Sequence, residues 1–566
     1  MKNNPEFADT TFQVAPWVAH RTYAPVIGQE RTVMSNDKDH EFLALEGPAA
    51  RAWNLFSEGV ATTPREIASV LEVPLVDVTY LFRDLENANL IISAKSILEE
   101  ATRQADSRIT SQPSSERYFD GNFTEPSPGG SNLEAEFEFQ DWALAHGYLW
   151  SALWELTFRC NESCVHCFNP GASHSDGQRA YRKTEELSLQ EATTLLDEMK
   201  SVGVFRLLLT GGEVALRKDF FHILSEVRKR GFSVTIFTNG TLFDDEQLKT
   251  LASFYPHRVE LSLYSPYSDQ HDNITRLKGS FQKTVSAAEK LRDLGVVVAI
   301  KMSVMAETVD TVAAFRAMCD EMSLESQVDY SMSPGVDGAR DPILKLLPEA
   351  LSLIRTAMTP GGPLFAGEKG NPRKSEWSER NDTAVCGAGR TTMSISPEGH
   401  IYPCNSLPIH SGSTRVDGLK AVWQRSRSGG AKGATTDVLS KWQDVKGVDY
   451  KVCGSYKRCA WCHKCPGLAL LEGGDELGPS TTNCRNSAAR MIAYDLIVEG
   501  RTPESISQSD LIPLQERYAE NIPLWSPSVS IESRVSLEEL RKSLKVRTRA
   551  TALERSQRGI SVGETP

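Results

Sequence analysis

The chain has 566 residues, with 62 Lys plus Arg against 74 Asp plus Glu and a formal net charge of -12. That length exceeds what one hydrophobic core serves and points to three or four folded units, while the acidic balance excludes a general electrostatic grip on nucleic acid or anionic lipid. The opening MKNNPEFADTTFQVAPW lacks a signal segment and no long apolar run follows, so a soluble, cytoplasmic protein without a membrane partner is expected.

Residues 20–100 read as a small winged-helix unit. Strand candidates RTVMS and HEFLALE flank the turn signal NDKD, and three helices follow. The first carries Trp53 and Phe56 after Pro48, and the second opens on a capping box of Thr63 and Glu66 with Pro64 at its first position. The third sets Val78, Leu81 and Leu85 at helical spacing. Residues 103–138, rich in Ser, Pro, Gly and Asp, are expected to be a flexible linker.

Over 146–345 the strand candidates LWELTF, FRLLLT, SVTIFTN, VELSLY, VVVAIKMSV and VDYSMSP alternate with amphipathic helices, one capped by Ser188 and Glu191. Six βα units are too few for a closed eight-stranded barrel. The α/β expectation is therefore a partial (βα)6 barrel with its site at the carboxyl ends of the strands. Residues 380–495 form a cysteine-, Gly- and Pro-rich region, and 500–566 read as an exposed C-terminal tail.

Ten of the eleven cysteines fall into two groups, and in a reducing compartment such groups are metal or redox ligands. Cys160, Cys164 and Cys167 follow the first barrel strand with spacing x3 then x2. Three thiolates can hold three corners of one iron–sulfur cluster and leave its fourth iron open to a small molecule. Structural zinc wants four protein ligands and no fourth cysteine lies nearby, although His166 sits inside the loop. Gly211-Gly212-Glu213 ends the second strand, Thr238-Asn239-Gly240 the third, and Ser262 the fourth. Paired glycines let a backbone approach a ligand, and the carboxylate can accept from a cationic amine. The second group is Cys386, Gly399 and Cys404 in the pattern Cys-x12-Gly-x4-Cys, then Cys453, Cys459, Cys462, Cys465 and Cys484. A zinc-ribbon module is its competing reading. Cys319, on an amphipathic helix, reads as a small buried hydrophobe.

The first group with its GGE and TNG turns resembles the radical S-adenosylmethionine (SAM) superfamily. The resemblance implies a 4Fe-4S cluster on Cys160, Cys164 and Cys167, whose open iron the methionine amino and carboxylate groups chelate. It also implies cofactor contacts from Gly211, Gly212, Glu213, Thr238, Asn239 and Ser262. The second group resembles the SPASM domain, which implies two auxiliary 4Fe-4S clusters. Cys386, Cys404 and Cys465 would hold one with an open iron, and Cys453, Cys459, Cys462 and Cys484 the other. The central run departs from the family pattern, reading Cys-x5-Cys-x2-Cys-x2-Cys in place of Cys-x2-Cys-x5-Cys-x3-Cys. HDNITRLKGSF, residues 271–281, resembles a segment of the peptide-modifying branch; His271 and Asp272 as caps of the next helix are the plainer reading.

Residues 40–91 resemble a RiPP recognition element, which implies binding of a precursor-peptide leader as an added strand. Together these resemblances imply a radical SAM/SPASM maturase of the sactipeptide or ranthipeptide type, a peptide-modifying oxidoreductase. A 5′-deoxyadenosyl radical would abstract hydrogen from a ribosomally made precursor peptide, forming a thioether or carbon–carbon crosslink. A flavodoxin or ferredoxin would supply electrons, nucleic acid would not bind, and no residue marks itself as the catalytic base. The alternatives are a formylglycine-type sulfatase maturase and an iron–sulfur redox sensor that binds DNA through the winged helix.

Overall fold

A computed structural model describes residues 5–24, 30–39, 41–93, 129–169, 185–334, 346–359, 384–427, 438–443, 445–453, 462, 464–511 and 513–514. Five strands come first: β1 (Phe12–Val14), β2 (Val18–Tyr23), β3 (Arg31–Asn36), β4 (Glu41–Glu46) and β5 (Ile91–Ser93). β2, β3 and β4 form an antiparallel sheet, and β1 pairs antiparallel with β5. Between β4 and β5 run α1 (Gly47–Ser57), α2 (Pro64–Leu71) and α3 (Leu75–Asn87). The expected capping box is present: Glu66 N donates to Thr63 Oγ1 at 3.2 Å and Thr63 N to Glu66 Oε2 at 3.1 Å. Trp53, Phe56, Ile67, Val78 and Phe82 make the core of this unit.

The other face of the β2–β4 sheet buries Tyr23, Val33 and Phe42 against Phe139 and Ala143 of α4 (Gly129–Ala145) and Trp150 and Phe205 of the next unit. The linker expected over 103–138 thus ends inside a helix from residue 129, because Phe139, Trp142 and Ala143 supply the apolar face that covers the sheet. Residues 103–128 lie outside the described residues.

Five of the six expected barrel strands form where expected, as β6 (Ser151–Glu155), β7 (Arg206–Thr210), β8 (Ser233–Thr238), β9 (Arg258–Ser262) and β10 (Val298–Ser303). The sixth, β11 (Glu325–Asp329), lies ahead of the expected VDYSMSP and shares only Val328 and Asp329 with it, because pairing with β10 stops at Ser303 opposite Asp329. All pair in parallel and in sequence order. Every second residue, such as Trp154, Leu209, Ile236 and Leu261, packs toward the helices in one apolar core. Those helices include α5 (Leu189–Ser201), α6 (Phe220–Lys229) and α7 (Asp245–Ser253); α8 (Ser268–Thr275) instead packs Ile274 against Met305 and Met332, and α9 (Ser280–Asp293) and α10 (Val312–Glu321) return to the main core.

The sheet does not stop at β6. β12 (Thr392–Ile395) joins β6 in parallel, and β13 (His400–Tyr402) and β14 (Gly412–Ser413) continue it antiparallel. The cysteine-rich region therefore shares the barrel's sheet. Beyond it, α11 (Ala350–Met358) packs on the long helix Thr481–Val498, and Ile506, Leu511 and Leu514 join that contact. The start of the expected tail is thereby folded, and residues after 514 lie outside the described residues. No helix among the described residues is long and apolar enough to cross a membrane.

The N-terminal unit docks at the amino ends of the barrel strands. Arg21 Nε donates to Val204 O at 3.0 Å, Tyr23 OH to Gly203 O at 2.8 Å and His20 N to Gly231 O at 3.0 Å. Fully buried Asp37 takes Arg228 Nη1 at 2.8 Å and Ser233 Oγ at 3.1 Å, with His257 Nδ1 3.3 Å away. The first cysteine group lies past the other end of these strands.

Candidate functional site

Cys160, Cys164 and Cys167 sit in the loop that leaves β6. The loop is fixed from two sides. Ser163 N and Val165 N donate to Thr275 O and Ile274 O, both at 3.0 Å, so the carbonyls ending α8 hold one flank. Gly212 N donates to Thr157 O at 2.6 Å and Glu213 N to Arg159 O at 2.8 Å, which ties the GGE turn to the other flank. A Cβ on Gly211 would stand 2.3 Å from Thr157 O and one on Gly212 2.2 Å from Arg159 O. These glycines are needed because the turn lies against the backbone that leads into Cys160, and the approach expected toward a ligand is here an approach to the chain itself.

Glu213 is 1% exposed, and its carboxylate accepts from Thr238 Oγ1 at 2.6 Å, Asn239 N at 2.7 Å and Ala215 N at 3.1 Å. Burial raises its pKa above the usual carboxylate range despite those bonds. GGE and TNG are therefore one hydrogen-bonded unit. Asn239 extends it: its Nδ2 donates to Asn161 Oδ1 at 2.9 Å and stands 3.9 Å from Cys160 Sγ. Asn161 Nδ2 in turn donates to Thr241 Oγ1 at 2.8 Å. Asn161 and Thr241 were not singled out from sequence, since isolated polar residues in loops carry no spacing signal.

Burial, then the nearby Glu162, Cys167 and Cys160, raises the Cys164 thiol well above its ordinary pKa. Thiols so placed give up their protons when iron binds. Among the described residues no three His, Cys, Asp or Glu side chains converge on a single-ion site; a cluster takes its thiolates at separate iron corners. Asn169 fits a cofactor beside this loop: its Nδ2 donates to Gly211 O at 3.2 Å, while its buried Oδ1 has no hydrogen-bond partner among the described residues. That acceptor suits an ammonium or hydroxyl donor.

Ser262 pairs with the phenol of Tyr264, whose ring meets His166 edge-on at 4.3 Å and stacks on His271 at 5.6 Å. The two plain readings of residues 271 and 272 separate. Asp272 caps α9, accepting from Ser280 Oγ at 3.0 Å and Phe281 N at 2.9 Å. Fully buried His271 does not cap; its Nδ1 accepts from Tyr264 N at 3.1 Å. Glu155, the last residue of β6, alternates with core-facing Trp154 and so faces the barrel interior. It is 8% exposed, its side chain makes no hydrogen bond or ion pair among the described residues, and burial pushes its pKa up to about 8.

In the second group, Gly389 N donates to Pro403 O at 3.0 Å, drawing the turn after Cys386 toward Cys404. Gly467 sits so close to Ser406 that a Cβ would stand 2.0 Å from its carbonyl oxygen, which draws Cys465 toward Cys404. Cys462 Sγ lies 3.9 Å from Asn483 O, next to Cys484, and both line a cavity with Cys453. Cys459 lies outside the described residues. Cys319 is fully buried in the barrel core, as a small hydrophobe should be.

Residues 154–319 match the Radical SAM superfamily, and residues 386–466 match SPASM, an iron–sulfur cluster-binding domain. The chain is 25% identical over 329 residues to the AdoMet-dependent heme synthase of Methanosarcina barkeri, spanning 55% of this chain and 89% of that one. It is 29% identical over 286 residues to the mycofactocin maturase MftC of Mycolicibacterium smegmatis, spanning 48% and 69%. It is 24% identical over 271 residues to the PqqA peptide cyclase of Gluconobacter oxydans, spanning 46% and 71%. With both domains matched over the cysteine groups, the chain is an enzyme that carries a radical SAM domain followed by a SPASM domain, and its cofactors are S-adenosylmethionine and 4Fe-4S clusters.

Proposed function

We propose that this enzyme modifies a ribosomally made precursor peptide, forming a thioether or carbon–carbon crosslink. The observation that carries this reading is the three-stranded, three-helix N-terminal unit docked on a radical SAM barrel that runs on into a SPASM sheet. We read that unit as a winged helix that takes the peptide's leader as an added strand, which raises the local concentration of the segment to be modified.

Cys160, Cys164 and Cys167 would hold the cluster that binds S-adenosylmethionine. Gly211, Gly212, Glu213, Thr238, Asn239 and Ser262 would shape the cofactor's seat, the glycines by fixing the cluster loop and Glu213 by joining two turns into one wall. Together the bound cluster and S-adenosylmethionine supply a 5′-deoxyadenosyl radical that removes a substrate hydrogen atom. In the SPASM region Cys386, Cys404 and Cys465 would hold one auxiliary cluster, and Cys453, Cys459, Cys462 and Cys484 the other. A flavodoxin or ferredoxin is the proposed electron donor and the cytoplasm the proposed setting.

The test is 5′-deoxyadenosine formation by the anaerobically reconstituted, reduced enzyme, with and without a candidate precursor peptide, beside a Cys160→Ala control. The expected result is nucleoside that the control abolishes and a peptide lighter by a pair of hydrogen atoms. Nucleoside formed only with an iron porphyrin, the class of compound to which the haem in that synthase's name belongs, would overturn the peptide reading. Clusters present with no nucleoside under any condition would overturn catalysis.

A further inference from the structure

Tyr450 is an internal tyrosine that neither the cofactor motifs nor the cysteine spacing marks. It follows the short turn Gly447–Asp449 and is held on its other side by Lys451, whose N donates to Leu477 O at 3.0 Å and whose Nζ meets Asp475 at 2.6 Å. The residue is 3% exposed. Its ring packs in an apolar cluster with Leu407, Trp442, Val445 and Cys453, against which Cys404 also lies. Its side chain also lines a small cavity together with Cys453, Cys462, Cys465 and Cys484.

A phenol in such a place should find a partner, because an unpaired buried hydroxyl costs roughly 1–3 kcal/mol. Yet the Tyr450 hydroxyl is buried with no hydrogen-bond partner among the described residues. The cavity it lines is walled by Cys453, Cys462 and Cys484 of one proposed ligand set and by Cys465 of the other. The phenol O–H is thus a hydrogen-bond donor set among thiols.

We propose that Tyr450 is a positioning residue of the auxiliary iron–sulfur pair, its O–H donating a hydrogen bond to a sulfur of the cluster held by Cys453, Cys462 and Cys484 while its ring keeps water from the space between the two clusters. This rests on the auxiliary-cluster assignment above. A hydrogen bond to cluster or thiolate sulfur stabilises the reduced, more negative state and so raises the reduction potential. No bond is made or broken. The residue sets which of the two auxiliary clusters holds an electron.

The experiment is a redox titration of the reconstituted full-length enzyme, followed by electron paramagnetic resonance, on the wild type and Tyr450→Phe. Iron and sulfide content are measured on both. The signal altered by adding S-adenosylmethionine identifies the first cluster. The expected result is unchanged iron and sulfide, with one auxiliary midpoint lowered enough to change its reduced fraction about tenfold at fixed potential. The other two midpoints should stay in place. In the wild type alone, pulsed measurements in heavy water should resolve an exchangeable deuteron coupled to the same cluster, a readout that does not depend on the variant folding. Equal midpoints in both proteins, or no coupled deuteron, would overturn the proposal while leaving the clusters intact. A wild type whose iron accounts for only the first cluster would instead remove the auxiliary assignment, and this proposal with it.

Discussion

Replacing Glu155 with Gln should make the barrel more stable at alkaline pH while leaving its acid-side stability nearly unchanged. The carboxyl has a folded pKa of about 8 against an ordinary 4.5, with burial as the cause. An acid whose pKa is raised on folding binds its proton more tightly in the native state, so its penalty is absent below pH 4.5 and grows until the pH passes about 8. At about 1.4 kcal/mol per unit the full penalty is on the order of 5 kcal/mol, of which about 3 kcal/mol accrues between pH 5.5 and pH 8.5. Glutamine keeps the volume and carries no titrating proton. The assay is anaerobic urea unfolding of wild type and Glu155→Gln holoprotein at those two pH values, followed by tryptophan fluorescence. The wild-type midpoint should fall relative to the variant by about 1 M at the higher pH, given urea slopes of a few kcal/mol/M. Parallel pH dependences would refute the reasoning, and would mean that the side chain finds water or a cation the apolar surroundings do not suggest.

Gly212→Ala places a Cβ against the Arg159 carbonyl, 2.2 Å away, in the backbone leading into Cys160; the purified variant should lose roughly a third of its iron, one cluster of three, by iron analysis. Asp37→Ala removes the buried carboxylate that pairs with half-buried Arg228 and should destabilise docking of the N-terminal unit by about 1–3 kcal/mol, read as faster hydrogen exchange in β2. Burial alone would raise the Asp37 pKa, but His257 and Arg228 hold it at about 2; the stability it provides is present above the ordinary 3.8 and lost as pH falls from there through about 2.

The first five parallel strands were legible because each carries a period-two apolar set on one face, and the cysteines because thiolate spacing is a local property of the chain. β11 was placed a few residues late because its stretch ESQVD offers Val328 as its one apolar side chain. β2 was not legible. Its stretch VAHRTY holds His20 and Arg21, which read as solvent-facing until the barrel supplies carbonyls at Val204 and Arg230 for the guanidinium. β12 escaped as a partner of β6 because its pairing joins residues from opposite ends of the barrel sequence, and no local pattern records such a contact. Nor could spacing show that Glu213 already serves Thr238 and Asn239. The motif was readable; its role as a bracket between strands depends on register. Glu155, a single polar residue in an apolar run, and Tyr450, set between charged Asp449 and Lys451, were hidden for a related reason, since burial shows only once neighbours are placed.

The N-terminal unit grips the barrel before β7 and β8 begin, at Gly203, Val204 and Gly231, whereas Cys160 and the GGE turn lie where strands finish. Strands of five or six residues separate the two ends, and at about 3.3 Å per residue that is roughly 17–20 Å. A substrate that touches both ends at once must be a polymer with at least about six extended residues between its anchored part and its reacting part. On the proposal that the N-terminal unit takes the leader, the docking would act as a ruler: shortening the spacer of a bound peptide below that span should uncouple recognition from chemistry, whereas a compact ligand the size of a single residue could not reach both ends.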